Sequence, residues 1–179
     1  MKQEVTYNGM EFVPFIPAEK IGERVAELAK RIEADCAGKN PLFLCVLTGA
    51  FPFASDLFRS VDMDAEIEFI RLKSYDGTTT TGNVKQLMGL SGGIKGRTVI
   101  VVEDIIDTGH TIHSLLATLR GQEPAEVKVA TLLFKPASLA KPVKPDYVGF
   151  EIPNKFIIGY GLDIDGMARN LPDIYVLKD

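Results

Sequence analysis

The sequence predicts an α/β fold: a mostly parallel, twisted sheet flanked by helices. Three observations carry that prediction. Short apolar runs alternate with amphipathic stretches along most of the chain, the order expected when strands and helices take turns. One run, Thr98–Glu103 (TVIVVE), is apolar until its last residue, as a central strand covered on both faces must be. The length of 179 residues suits one domain, and a chain of that size buries about 70% of its unfolded surface.

The elements follow in order. Pro17 is placed to open a helix in which Ile21, Val25, Leu28, Ala29 and Ile32 recur at three- and four-residue spacing, and Gly38 closes it. Leu42–Leu47 is a buried strand, Thr48-Gly49-Ala50 a turn, and Phe51–Ser60 a helix. Ala65–Leu72 alternates and reads as a half-exposed strand, and Val84–Met88 as another. After Thr98–Glu103, Thr111–Arg120 reads as a helix and Val127–Phe134 as a strand. Beyond Lys135, prolines at 136, 142, 145, 153 and 172 break the pattern into short strands and loops, expected to pack at the carboxyl edge of the sheet.

Composition removes several function classes. Hydrophobic residues are 46% and charged residues 25%, too apolar for disorder. The net charge of −4 argues against a general nucleic-acid binder, which neutralises phosphates with a basic surface. Two cysteines, Cys36 and Cys45, do not make a disulfide framework. No apolar run approaches the roughly 20 residues of a membrane span, and the amino-terminal stretch lacks a signal-peptide core. A cytoplasmic protein is expected.

The chemistry is concentrated in Val99–Thr111, VIVVEDIIDTGHT. A buried strand ends in Glu103 and Asp104; Asp107-Thr108-Gly109-His110-Thr111 then leads into a helix. Ligands of open α/β sheets sit at the carboxyl ends of strands. A glycine with two hydroxyls at a helix start offers backbone N–H groups and a positive dipole end to a phosphate. Paired acids beside it suit ribose hydroxyls or Mg²⁺, which prefers oxygen ligands. The bland alternative is that Asp107 or Thr108 caps the helix and the acids are solvated. Adjacent strand residues point to opposite faces, so Glu103 and Asp104 share a ligand only where the chain turns. No GxxxxGK[ST] or GxGxxG motif is present, and His110 with His113 lacks a third metal ligand.

VIVVEDIIDTGHT resembles the phosphoribosyl-pyrophosphate signature of the type I phosphoribosyltransferases. Leu47–Phe53 is similar to that family's pyrophosphate loop. Lys73-Ser74-Tyr75 and the Gly/Thr stretch after it are similar to its mobile lid. Asp146–Pro153, continuing to Asp163 and Arg169, resembles the base-binding tail of the hypoxanthine-guanine branch. The matches run in order from about residue 42 to the end.

The resemblance implies a single domain over 1–179 with a small hood built from terminal segments, a flexible lid over about 74–84 and a base-binding tail over about 135–179. It implies transfer of a 5-phosphoribosyl group from 5-phosphoribosyl 1-pyrophosphate (PRPP) to hypoxanthine or guanine with Mg²⁺ as cofactor, in a homodimer or homotetramer. The alternatives are a xanthine-preferring transferase and a regulator of the same fold, which would need a basic face.

Residue roles follow from the same resemblance. Asp107 matches the general acid/base at the purine. Thr108, Gly109, His110 and Thr111 match the 5′-phosphate cradle, with Ile106 beside them; His110 stands where relatives often carry lysine. Glu103 and Asp104 match the pair on the ribose hydroxyls and Mg²⁺, and Asp163 a further metal carboxylate. Arg169, Thr48, Gly49, Ser74 and Tyr75 match pyrophosphate contacts, with Thr48 replacing a basic residue and a cis bond expected before it. Lys135 matches the lysine on the purine 6-oxo group, Phe156 the ring stacked on the base, and Ile157 the backbone at its edge. An apolar interface between subunits is expected near Phe51–Phe58.

Overall fold

A computed structural model describes residues 3–73, 85–88 and 92–178. The expected lid, with Ser74 and Tyr75, lies outside the described residues.

A hairpin that the sequence does not predict comes first, β1 (Val5–Tyr7) and β2 (Met10–Ile16). Asn8 and Gly9 take positive φ at its turn, the combination a tight hairpin demands. Helix α1 (Ala18–Cys36) follows, with Pro17 as its N-cap. Its apolar stripe of Ile21, Val25, Leu28, Ala29 and Ile32 is buried, as the spacing predicts. Pro17 has no capping side chain, and the Ala18 N–H instead donates to Asp173 Oδ1 at 2.8 Å.

Next come β3 (Leu42–Leu47), α2 (Phe51–Ser60), β4 (Glu66–Lys73), β5 (Lys85–Met88), β6 (Thr98–Ile106), α3 (His110–Arg120) and β7 (Glu126–Phe134). A 3₁₀ turn over Pro136–Ser138 leads to β8 (Tyr147–Glu151), then β9 (Ile157–Ile158) and β10 (Ile174–Leu177). The main sheet runs β5-β4-β3-β6-β7-β8, with β4, β3, β6, β7 and β8 parallel and β5 antiparallel at the edge. A second sheet, β1-β2-β10-β9, is antiparallel and joins the two ends of the chain into the expected hood.

Strand alternation divides the core. Phe43, Cys45, Ile100, Val102 and Ala130 face α1 and α2, and hood residues Ile157, Ile174 and Val176 join the same cluster. Leu42, Leu44, Val99, Val101 and Val129 face α3 on the other side. Cys45 is sealed in, and burial pushes its thiol up to about 12.

Three expectations need correction. First, β6 does not end at Glu103 but runs to Ile106, because β7 continues to pair with it there. Second, Tyr147–Glu151 is a short strand, as expected of the tail, but it does not pack at the carboxyl edge of the sheet: it is the fifth parallel strand, paired with β7. Third, the apolar surface expected near Phe51–Phe58 is mostly internal: Phe53 is fully buried and Phe58 packs edge-on against Phe43, leaving only Phe51 of the three exposed. No helix among the described residues is long and apolar enough to cross a membrane.

Candidate active site

Between β3 and β6 the sheet reverses its winding. From β3 the chain crosses by α2 to β4 on one side; from β6 it crosses by α3 to β7 on the other. Such a switch point opens a crevice at the strands' carboxyl ends. Here β3 pairs with β6 only as far as Cys45 and Val102, while β6 continues along β7 to Ile106. Glu103 and Asp104 therefore stand where one neighbour has left the ladder.

Their alternation sends them to different neighbours. Asp104 leans on the Thr48-Gly49 loop so closely that a Cβ at Gly49 would run into its Oδ2. Glu103 lines a pocket of about 140 Å³ formed with Ile105–Ile112. The two carboxyls nonetheless stay close enough to feel each other's charge. Glu103 Oε2 is cut off from solvent with no hydrogen-bond partner among the described residues. Burial pushes the Glu103 carboxyl well above its ordinary 4.5, and the charge of Asp104 adds to this. Burial also raises Asp104, against the hydrogen bonds from Glu103 and the Ile105 N–H and the pull of Arg169.

A carboxyl raised in the folded state binds its proton more tightly there than in the unfolded chain. Its contribution to stability is therefore lost as pH climbs from the unfolded value through the raised one. Glu103→Gln removes that charge. It should lift the thermal midpoint of the ligand-free protein at pH 8 by about 3 °C or more. A melting series in pH checks this, and a midpoint at or below the parent's at pH 8 contradicts it.

The phosphate-loop candidate has a defined geometry. Gly109 is the N-cap of α3 with φ +80°, and the helix carries no capping side chain. The left-handed φ is why glycine stands there. His110 Nδ1 lies 3.1 Å from Thr108 Oγ1, and the Thr108 carbonyl accepts from the Ala140 and Lys141 N–H groups. Asp107 does not cap: its Oδ2 accepts from Lys135 Nζ at 2.8 Å. Lys135 is nearly buried, with a side chain 7% exposed against 43% for Asp107. Its own N–H donates to the Ile106 carbonyl, so the end of β7 is tied to the end of β6.

The tail brings Arg169 to the same edge. Its Nη1 donates to the Gly161 carbonyl at 2.6 Å and its Nη2 pairs with Asp163 Oδ1 at 2.6 Å. A Cβ on Gly49 would lie 3.4 Å from Arg169 Nη1, which places the arginine beside the loop. Asp163 Oδ2 accepts from the Gly166 N–H. Asp163 is thus committed to Arg169, and no group of three or more His, Cys, Asp or Glu side chains forms a ready cage among the described residues. The bond between Leu47 and Thr48 is cis, as the resemblance implies.

On the hood, Phe156 is 46% exposed with its ring 6.0 Å from buried Phe12. Ile157 is buried and registered with Val176 of β10. Sequence reasoning missed Tyr160, whose hydroxyl donates to Asp56 Oδ2 at 2.5 Å. The pair spans two distant segments, and only the glycines flanking Tyr160 hint at a special turn there.

Residues 17–165 match the family profile described as the phosphoribosyl transferase domain. The chain belongs to the phosphoribosyltransferase family. It is 43% identical over 162 residues to the hypoxanthine-guanine phosphoribosyltransferase of Streptococcus thermophilus, covering 90% of each chain. It is 40% identical over 176 residues to the bifunctional protein TilS/HprT of Listeria innocua, covering 98% of this chain and 27% of that one. A crystal structure of a hypoxanthine-guanine phosphoribosyltransferase from Bacillus anthracis superposes with a TM-score of 0.88 at 43% identity, covering 92% of this chain and 98% of that one. This phosphoribosyltransferase shares with that structure its parallel sheet and flanking helices, and its extra antiparallel sheet is the hood.

Proposed function

We propose that the protein works in purine salvage, transferring the 5-phosphoribosyl group of PRPP to hypoxanthine or guanine and releasing pyrophosphate with IMP or GMP. The observation that carries this reading beyond the family is Asp107. It is released from helix capping and paired instead with the nearly buried Lys135. A cap would sit on the α3 amides; a base-binding acid needs a free edge and a neighbouring donor.

In this reading Thr108–Thr111 and the first amides of α3 hold the 5′-phosphate. Glu103 and Asp104 hold the ribose hydroxyls. The Thr48 and Gly49 amides with Arg169 hold the pyrophosphate, where a planar guanidinium fork matches phosphate oxygens. Lys135 donates to the purine 6-oxo group, Phe156 covers one face of the base, and the Ile157 backbone meets its edge. Asp107 accepts or returns the proton at N7. Ser74 and Tyr75 reach the pyrophosphate from the lid.

Mg²⁺ fits the donor set. The unpartnered Glu103 Oε2 and the adjoining Asp104 are hard oxygen ligands, and Mg²⁺ is usually held by one or two carboxylates together with substrate phosphates and water. When bound it neutralises charge growing on the leaving pyrophosphate. Asp163 would reach it only by loosening its pair with Arg169. We read the chain as one domain, supported by the core cluster that hood and main sheet share. The exposed Phe51 suits burial in a homodimer or homotetramer.

The test is a spectrophotometric assay of hypoxanthine, guanine and xanthine, each with PRPP and Mg²⁺. Turnover is expected on the first two and is lost when EDTA removes the metal. Absence of any PRPP-dependent nucleotide overturns the proposal. Faster turnover of xanthine moves it to the xanthine-preferring relatives.

A further inference from the structure

The turn Gly159–Leu162 is closed by two hydrogen bonds, Gly159 N–H to Leu162 O at 3.0 Å and Leu162 N–H to Gly159 O at 3.1 Å. Its central residues, Tyr160 and Gly161, have φ of +47° and +97°. That backbone belongs to Gly, Asn and Asp, and a bulky aromatic there persists only where its surroundings hold it. What holds Tyr160 is visible. Its ring is buried with the α1–α2 core, its N–H donates to the Leu171 carbonyl, and its hydroxyl donates to Asp56 Oδ2 at 2.5 Å.

The neighbour, Gly161, is the joint between two parts of the site. Its N–H donates to the Arg169 carbonyl at 3.0 Å and its carbonyl accepts from Arg169 Nη1 at 2.6 Å. Its α-carbon abuts the Gly49 carbonyl so tightly that no side chain fits between them. Asp56 lies on α2, the helix that starts directly after the Thr48–Ala50 loop. One hydrogen bond therefore links the helix that follows Gly49 to the turn that holds Arg169.

We propose that Asp56 and Tyr160 are a positioning pair that fixes the tail turn against the Thr48-Gly49 loop, so that Arg169 and that loop grip one pyrophosphate group across a set gap. The inference rests on the phosphoribosyl-transfer reading above. Neither side chain touches substrate. Their work is to hold two anion-binding parts in register, where a small misplacement is costly.

A double-mutant cycle tests it, using Tyr160→Phe, Asp56→Ala and their combination, with Asp56→Asn as the conservative variant. The KM for PRPP should rise about tenfold in each of the first two. The double variant should be no worse than the poorer single one, because both remove the same bond. The KM for hypoxanthine should stay within about twofold and kcat within about threefold. Asp56→Asn keeps an acceptor oxygen and should recover most of the loss. If Asp56→Ala does not fold, Tyr160→Phe against Asp56→Asn makes the same comparison, since phenylalanine keeps the ring volume. An unmoved PRPP KM, a parallel rise in both substrates' KM, additive losses, or no recovery in Asp56→Asn each overturns the pair. A parent protein that forms no nucleotide from PRPP sinks the reaction assignment itself; an active parent with unmoved variants sinks only the positioning role.

Discussion

Asp107→Asn is expected to lower kcat by about 10²–10⁴ while leaving nucleotide affinity within a few-fold. That is the range a positioned acid/base contributes. The substitution keeps the side-chain volume and one acceptor oxygen, so Lys135 Nζ retains a neutral partner in place of the carboxylate 2.8 Å away. The nearly buried lysine then sits beside an uncharged group, which costs about 1–3 kcal/mol of stability and shows as a lowered melting midpoint. Turnover and IMP binding, measured side by side, separate the two effects. Full turnover in the variant would return Asp107 to a structural role. Loss of IMP binding in step with turnover would mean that the change had collapsed the pocket.

Gly49→Ala should act differently, damaging catalysis with little cost to the fold. The new methyl group would collide with the Asp104 carboxyl, both Oδ2 and Cγ, and would only touch Arg169 Nη1 at 3.4 Å; none of these atoms is backbone. The loop can therefore stay where it is while the carboxylate swings aside. With Asp104 displaced from its proposed place at the ribose, kcat/KM for PRPP should fall about hundredfold, the scale of losing one preorganised charged contact. The melting midpoint should move by no more than about 2–3 °C. A variant with the parent's kcat/KM would show that the close packing of Asp104 on the loop has no bearing on catalysis.

Local order was legible wherever one segment decides its own environment. The bounds of β3 and α2 follow from the sequence to the residue, because an apolar run and an amphipathic run meet at the Thr48–Ala50 turn. The cluster from Glu103 to Thr111 was legible for the same reason: strand, acids, glycine and helix are contiguous. What escaped depends on partners far along the chain. The end of β6 is set by β7, not by its own acids. The Ala18 N–H is capped by Asp173, 155 residues away, and Tyr160 is held by Asp56 at a separation of 104. The hairpin β1–β2 was missed because Pro14 and the polar residues around it read as irregular until β10 pairs alongside. The apolar surface expected near Phe51–Phe58 is mostly internal because a short helix does not announce which of its aromatics meets Phe43.

The reversal of winding between β3 and β6 has a consequence for how this protein can change. The two loops proposed to hold anions spring from neighbouring strands, so the span between them is ruled by the spacing of a hydrogen-bonded lattice, about 4.8 Å per step. Side chains at the loop tips are decoration on that ruler. On the proposed reading, the backbone amides at Gly49 and Gly109 hold the two anionic ends of PRPP, so threonine at position 48 and histidine at position 110 leave that grip in place. Drift at these tips retunes how firmly each end is gripped and leaves the distance between the ends untouched.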